Sequence, residues 1–177
     1  MLLFALCVGA GEVLPLVGVA ALCHELGHFF FLRLFGVCVE EVSFTCFGVK
    51  IQADTRYLPY GKDILCTLAG PAVNLILAVV FARVSEDYLL SGANLLQGGF
   101  NLLPVPGLDG ARALHLALCW LLDPDRADRI CRRVEICGAG MICAVSGYLV
   151  VFRRAGAWLF LASLGILRET FRNEPGK

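Results

Sequence analysis

Charged residues are scarce in this sequence. Lys, Arg, Asp and Glu together make up 17% of its 177 residues, and their formal charges cancel to zero. Soluble domains usually contain about a quarter charged residues. No tract of Lys and Arg is present that would form a phosphate-binding surface. The composition therefore argues against an ordinary soluble domain and against a nucleic-acid-binding protein.

Paired cysteine motifs are also missing. The sequence contains nine cysteines, an odd number, and no two of them stand in a C-x-x-C pair. Disulfide frameworks and thiolate zinc sites are usually recognised by regular cysteine spacing. We therefore interpret the cysteines as small, mostly buried side chains, and we predict neither kind of site.

Apolar residues, by contrast, make up 58% of the chain. A helix needs roughly 18 or more apolar residues to cross a bilayer. About six apolar segments can be distinguished, running to about residue 11 and then over about 15–35, 64–82, 89–122, 134–152 and 155–167. We predict an all-α polytopic membrane protein that forms a single domain over 1–177.

Two of these segments contain proline-rich breaks. Gly70-Pro71 interrupts the segment 64–82, and NLLPVPGLDG interrupts the segment 89–122. Proline disrupts a helix interior because it lacks an N–H group and clashes with the preceding turn. Irregular backbone inside a membrane is tolerated where it is buried in protein or lines a wet cavity. We expect such surroundings for the second break.

Residues 37–57 have a different period. Apolar and polar residues alternate in VSFTC and again in VKIQA. This period of two predicts two short strands, joined around Phe47-Gly48 into a small β-hairpin at the membrane surface. An exposed strand edge can hold an extended peptide by strand addition. A hairpin that only covers the helices explains the pattern as well, so both interpretations stay open.

Lys and Arg are distributed unevenly around the predicted segments. If the segment 89–122 crosses the membrane once, eleven of them fall on one side and three on the other. The positive-inside rule places the side with eleven in the cytoplasm. The end of the segment 15–35 that contains His24 and His28 then lies toward the cytoplasm.

An ionisable cluster lies inside the apolar segment 15–35. The residues His24-Glu25-Leu26-Gly27-His28 form the pattern H-E-x-x-H. Positions four apart share a helix face, so the two imidazoles can bind one Zn²⁺ while the glutamate lies beside the attacking water. An interpretation as two core histidines and a solvated glutamate is weak, because ionisable groups within a membrane are costly and usually functional.

A catalytic zinc site usually has three protein ligands. The candidates for the third are Asp109, in the second break, and His115. Asp109 is the better candidate, because it is a carboxylate and the following Gly110 permits close approach. An Asp-Gly pair is equally typical of a helix N-cap, and His115 is also explained by packing or an interhelical hydrogen bond. The spacing alone leaves open whether Asp109 is a ligand or a cap.

Three motifs follow one another along the chain: HELGH, then AGPAVN at Ala69–Asn74, then NLLPVPGLDGAR at Asn101–Arg112. With this combination the sequence resembles the site-2 protease family (M50) of intramembrane zinc metalloproteases, most of all the compact sporulation branch typified by stage IV sporulation protein FB. The resemblance covers a core of about 10–122, followed by additional C-terminal membrane segments over 134–167. We expect neither a CBS domain nor a PDZ domain.

The resemblance implies roles for individual residues. His24 and His28 match the zinc-ligating histidines of the family, and Glu25 matches its catalytic glutamate. Asp109 matches the aspartate that completes the site, which implies one Zn²⁺ per chain. Asn74 matches an asparagine that holds the substrate backbone, although a hydrogen bond between helices explains it too.

The resemblance implies a zinc-dependent endopeptidase of the bacterial cytoplasmic membrane. Its substrate would be a membrane-embedded or membrane-tethered regulatory protein, for example a sporulation sigma-factor precursor. A proteolytically silent membrane protein that keeps the fold and binds clients is the alternative, and the intact Glu25 argues against it. An intramembrane metal transporter is a third interpretation, but the H-E-x-x-H spacing fits hydrolysis better.

Overall fold

The computed structural model describes residues 13–45, 48–153 and 158–172. The predicted first apolar segment, which runs to about residue 11, lies outside the described residues. The chain divides into two compact units, Met1–Leu102 and Leu103–Lys177. The single domain over 1–177 stays a prediction.

The first unit combines three helices with a pair of strands. Its described elements are α1 (Val13–Leu34), β1 (Val39–Thr45), β2 (Gly48–Ala53), α2 (Tyr60–Arg83) and α3 (Tyr88–Asn101). The strands pair antiparallel, with Val42 opposite Ile51 and an irregularity between Val39 and Glu41. They cover the stretch where alternating residues predicted strands, and the two residues between them lie outside the described ranges.

The regular elements of the second unit are helices throughout its described residues. It contains α4 (Asp109–Leu121), α5 (Pro124–Arg153) and α6 (Trp158–Arg172). Ser146 of α5 donates a buried hydrogen bond of 2.7 Å to Ser163 of α6. The side chain of Arg132 also donates to the carbonyl oxygen of Thr170. Polar contacts of this kind join helices whose surroundings offer no water.

Three helices of the described residues are long and apolar enough to cross a membrane. They cover Pro15–Leu34, Tyr60–Arg83 and Pro124–Phe152. Large apolar side chains such as Leu22, Leu26 and Phe30 are more than half exposed along one face of α1, a stripe that suits lipid better than water. The prediction of a mostly helical membrane protein is thus supported, while the number of six segments stays a prediction.

The predicted break between Asn101 and Asp109 separates two helices of the structure. Helix α3 ends at Asn101 and α4 begins at Asp109, so the apolar stretch 89–122 forms helices of 14 and 13 residues. Gly107 in this break has a φ of +85°, a conformation that side chains with a Cβ rarely adopt. Neither helix reaches the length of a bilayer crossing.

The predicted interruption at Gly70-Pro71 is wrong. Helix α2 continues through Pro71 from Tyr60 to Arg83. Proline removes one backbone hydrogen bond, but neighbouring helices in a membrane protein can compensate for this loss. Pro71 is buried against such neighbours, and the carbonyl oxygen of this residue lies beside Gly98 of α3.

Small residues allow α1, α2 and α3 to approach one another closely. A Cβ added at Gly27 of α1 would lie 2.9 Å from the Ala69 carbonyl oxygen of α2. A Cβ added at Gly98 of α3 would lie 3.0 Å from the Asn74 Cβ and 3.1 Å from the Pro71 carbonyl oxygen. Close backbone approach through small residues is typical of helix pairs in membranes. The three helices therefore meet at glycine on both sides of α2.

Replacing Gly98 by alanine is expected to destabilise the protein by about 1–3 kcal/mol, because the new methyl group overpacks the contact with α2. Thermal unfolding of the detergent-solubilised protein, followed by circular dichroism, measures this loss. Gly99→Ala is the matched control, since a Cβ at this exposed neighbour meets nothing within 4 Å. Equal melting temperatures for the two variants would show that the helices tolerate wider spacing.

Candidate metal centre

Two imidazoles from one helix face form the centre of the site. His24 and His28 lie one turn apart on α1, and their Nε2 atoms are 3.1 Å apart. His24 is buried, with 3% of its surface exposed. The i,i+4 spacing in the sequence therefore places two ring nitrogens close to one point.

The hydrogen bonds at the Nδ1 atoms determine the tautomer of both rings. His28 Nδ1 lies 2.8 Å from the Cys66 carbonyl oxygen, which can only accept, so this nitrogen bears the proton. His24 Nδ1 lies 2.9 Å from Asn74 Oδ1 and donates in the same way. In neutral rings both Nε2 atoms are then acceptors whose lone pairs face each other. Two neutral imidazole nitrogens oriented in this way can bind one cation.

Gly70 provides the space at the two ring nitrogens. A Cβ added at this position of α2 would lie 2.3 Å from His28 Nε2 and 2.8 Å from His24 Nε2. No side chain can occupy that volume, so α2 can pass over the imidazoles only with glycine there. The sequence motif AGPAVN was recognised for its asparagine, and the role of its glycine is visible only in the structure.

The orientation of Asn74 follows from its own partners. Its Nδ2 donates 3.0 Å hydrogen bonds to the Ala20 carbonyl oxygen and to Asn94 Oδ1, which leaves Oδ1 to accept from His24. Asn94 Nδ2 in turn donates to the Leu90 carbonyl oxygen. Asn74 has no exposed surface. The chain of amides therefore connects α3, α2 and α1 and ends on a histidine.

A row of amides follows the face of α3 that bears Asn94. Gln97 comes one turn later and is 7% exposed, and its Oε1 has no hydrogen-bond partner among the described residues. Asn101 comes next, and its Nδ2 lies 3.3 Å from His24 Nε2. The sequence analysis missed Asn94 and Gln97, although amides within the apolar segment 89–122 were a signal that could have found them.

The two acidic residues predicted for the site lie in different units. Glu25 follows His24 on α1 and is half-buried. Asp109 is half-buried as well and is the first residue of α4. The N-cap of α4 is Leu108, not Asp109, so the interpretation of Asp109 as the cap is wrong. The structure leaves Asp109 as a carboxylate in the first turn of its helix.

The sequence is similar to those of known zinc metalloproteases, although no family model matches it. It is 32% identical over 114 residues to zinc metalloprotease MJ0392 of Methanocaldococcus jannaschii, covering 58% of this chain and 33% of that protein. It is 27% identical over 164 residues to stage IV sporulation protein FB of Bacillus subtilis, covering 85% of this chain and 56% of that protein. The chain thus spans less than two thirds of the length of these relatives.

The fold is similar to that of a solved protease. The structure of a site-2 protease from Methanocaldococcus jannaschii matches 98% of this chain and 85% of that chain, with a TM-score of 0.64. The sequences are 23% identical in this comparison, so the match concerns the fold.

Replacing Gly70 by alanine is expected to weaken metal binding about 10-fold or more. Loss of a residue that orients metal ligands has an effect of this size. The methyl group would collide with both Nε2 atoms and force the rings or α2 to move. Metal content after dialysis and competition with a chelating dye measure the effect. Gly18→Ala on α1 is the control, because a Cβ there meets nothing within 4 Å. Full metal binding by the Gly70 variant would refute the assigned position of the ion.

Proposed function

We propose that this chain belongs to the site-2 protease family of intramembrane zinc metalloproteases and that it is a zinc-dependent endopeptidase. It hydrolyses a peptide bond in or near a membrane segment of another protein. The observation that supports this proposal most directly is the pair of imidazoles on an apolar helix, whose unprotonated Nε2 atoms converge beneath Gly70.

We propose His24, His28 and Asp109 as the zinc ligands. His24 and His28 lie in the H-E-x-x-H motif of α1, and Asp109 lies in the Asp-Gly pair that begins α4. Two imidazoles and a carboxylate are a donor set found in catalytic zinc sites, which keep a further position open for water or substrate. Bound there, Zn²⁺ would lower the pKa of the attacking water and polarise the scissile carbonyl group.

Glu25 is the proposed general base and acid. It is adjacent to one proposed ligand on α1 and three residues from the other, so its carboxylate belongs to the same turn of the helix. Its carboxylate takes a proton from the attacking water and later donates this proton to the leaving amine nitrogen. The buried amides around His24 keep the imidazole in the tautomer whose Nε2 is free of a proton.

The charge distribution supports the membrane arrangement that we propose. We propose a location in the bacterial cytoplasmic membrane with the metal centre toward the cytoplasm, because eleven of the Lys and Arg residues fall on that side in the predicted topology. About six apolar segments complete this topology. The hairpin of β1 and β2 would then lie at the membrane surface, on the side of the C-terminal end of α1.

The proposed substrate is a membrane-embedded or membrane-tethered regulatory protein. A peptide bond in a regular helix is protected by hydrogen bonds, so the substrate must become extended before cleavage. Within the described residues the sheet consists of two strands, and an outer edge of such a sheet can hold an extended segment by strand addition. The relative from Bacillus subtilis is a sporulation protein, which makes a sporulation sigma-factor precursor one reasonable substrate to test.

Replacing Glu25 by glutamine is expected to reduce cleavage of a membrane-tethered reporter about 10²–10⁴-fold, because the variant cannot accept the proton. Zinc content should stay unchanged. Asp109→Ala should instead lose zinc and activity together. Both variants are purified in detergent beside Asp123→Ala, which removes an exposed carboxylate from the connection between α4 and α5 and should behave like the wild type.

Other results would exclude specific parts of this proposal. If the wild type binds zinc but the Glu25 variant cleaves equally well, the assigned base is wrong. If the wild type binds zinc and client proteins but cleaves none of the membrane-tethered reporters, the silent client-binding function replaces the protease. If Asp109→Ala retains its zinc, the third ligand is a different residue.

Asn74 was predicted to hold the substrate, and this stays a prediction; we propose that it positions His24. Replacing it by alanine removes the acceptor of His24 Nδ1 and is expected to weaken zinc binding about 10–100-fold. Zinc affinity and KM at saturating zinc are measured for each variant. Ser91→Ala is the control, because it removes a hydrogen bond between α3 and α2 that touches no histidine. A raised KM with unchanged zinc affinity would favour the substrate-binding role.

A further inference from the structure

The Gln97 side chain on α3 is a buried polar group that the packing of the first unit does not explain. It is 7% exposed, and among the described residues its Oε1 has no hydrogen-bond partner. Burying an acceptor without a donor is unfavourable, and an apolar side chain of the same shape would avoid this cost. Such groups are few in native proteins, and each one needs an explanation.

Two contacts on either side of Gln97 define its position relative to α1. Ala93, one turn before it, belongs to a buried apolar cluster with Ala20 of α1. Asn101, one turn after it, has its Nδ2 3.3 Å from His24 Nε2. Residues four apart share a helix face. Gln97 therefore faces α1 between the levels of Ala20 and His24, one helix turn from the metal centre.

The hydrogen bond between Asn101 and His24 uses the electron pair that a metal ion needs. His24 Nδ1 donates to Asn74 Oδ1, so its Nε2 bears no proton and accepts from Asn101 Nδ2. An imidazole nitrogen has one electron pair in the plane of the ring, which can accept a hydrogen bond or bind a cation but not both. Binding of a metal ion to His24 must therefore release the Asn101 amide.

Gln97 is placed to accept the released amide. It lies four residues before Asn101 on the same face of α3, and amide side chains at this spacing can form a hydrogen bond with each other. Its Oε1 lacks a donor among the described residues, and Asn101 Nδ2 loses its acceptor once His24 binds a metal ion. Changes of side-chain rotamer within one helix turn can join the two groups.

We propose that Gln97 is a positioning residue of the metal centre, whose Oε1 accepts the Asn101 amide when a metal ion occupies His24 Nε2. The metal-free protein then contains the Asn101–His24 hydrogen bond and an unpaired Gln97 oxygen. The metal-bound protein contains the Asn101–Gln97 hydrogen bond instead. Part of the binding free energy thus comes from a residue that does not touch the ion. This inference rests on the proposed zinc site, but not on cleavage of any substrate.

Replacing Gln97 by methionine tests the inference, because methionine has a similar shape and lacks the amide oxygen. Zinc affinity is measured in detergent by competition with a chelating dye. We expect about 10-fold weaker binding, since the metal-bound state then leaves the Asn101 amide without its acceptor. Leu96→Met is the matched control, because it introduces methionine at an exposed neighbouring position of α3 and should bind zinc like the wild type.

The stability of the metal-free protein separates this role from an ordinary structural one. Gln97→Met removes an unpaired acceptor from this state, so the melting temperature without metal should stay unchanged or rise. Loss of a permanent hydrogen bond between helices would lower it instead. At the same zinc concentration, the variant should gain less thermal stability than the wild type, because stabilisation by a ligand falls with its affinity.

Asn101→Ala identifies the partner of Gln97. Without the Asn101 amide no donor is released, so Gln97→Met should no longer change the zinc affinity in this background. The two single variants and the double variant form a double-mutant cycle, which measures the coupling between the two side chains. The inference is overturned if Gln97→Met weakens zinc binding equally in both backgrounds, leaves it unchanged in the wild-type background, or lowers the melting temperature of the metal-free protein.

Zinc binding by the wild type distinguishes these failures from a failure of the proposed function. A wild type that binds zinc while Gln97→Met has no effect overturns this inference alone. A wild type that binds no zinc overturns the proposed zinc site and, with it, the role of Gln97.

Discussion

Placing two imidazoles, one buried and one half-buried, on an apolar helix requires an acceptor for each Nδ1–H group, and the first unit is built around this requirement. The backbone carbonyl of Cys66 serves His28, and the amide of Asn74 serves His24. A buried polar group without a partner costs about 1–3 kcal/mol, so neither ring would remain inside without α2. Both acceptors belong to this one helix, which therefore determines where the lone pairs of the Nε2 atoms point.

The close approach of α2 has its own requirements. Helix α2 can supply acceptors to α1 only if its backbone comes within hydrogen-bonding distance of the rings, and Gly70 is the residue that permits this approach. Gly27 on α1 and Gly98 on α3 fulfil the same condition on either side. Pro71 remains helical between them, although the sequence predicted an interruption there. The metal centre and the packing of three helices are thus consequences of the same few small residues.

The second unit combines a different set of polar contacts with apolar helices. His115 of α4 forms a hydrogen bond with Asp128 of α5. Helices α5 and α6 share the buried hydrogen bond between Ser146 and Ser163. The hydrogen bond of His115 agrees with one of the two interpretations that its sequence position allowed. Asp109, at the start of α4, is the residue of this unit that we propose as a zinc ligand.

The sequence by itself determined the membrane class, the helical pair of histidines with its glutamate, and the break between Asn101 and Asp109. These features depend on hydropathy and on spacings of a few residues. Local backbone geometry determines which residues at such spacings lie on the same face of a helix. Only the tertiary structure decided that Gly70 opens the space for an ion, that Asn74 and Asn94 orient His24, and that Gln97 lies unpartnered among the described residues near them. These residues act across helices, on partners that are up to 54 positions distant in the sequence, and no local pattern specifies which helix faces which.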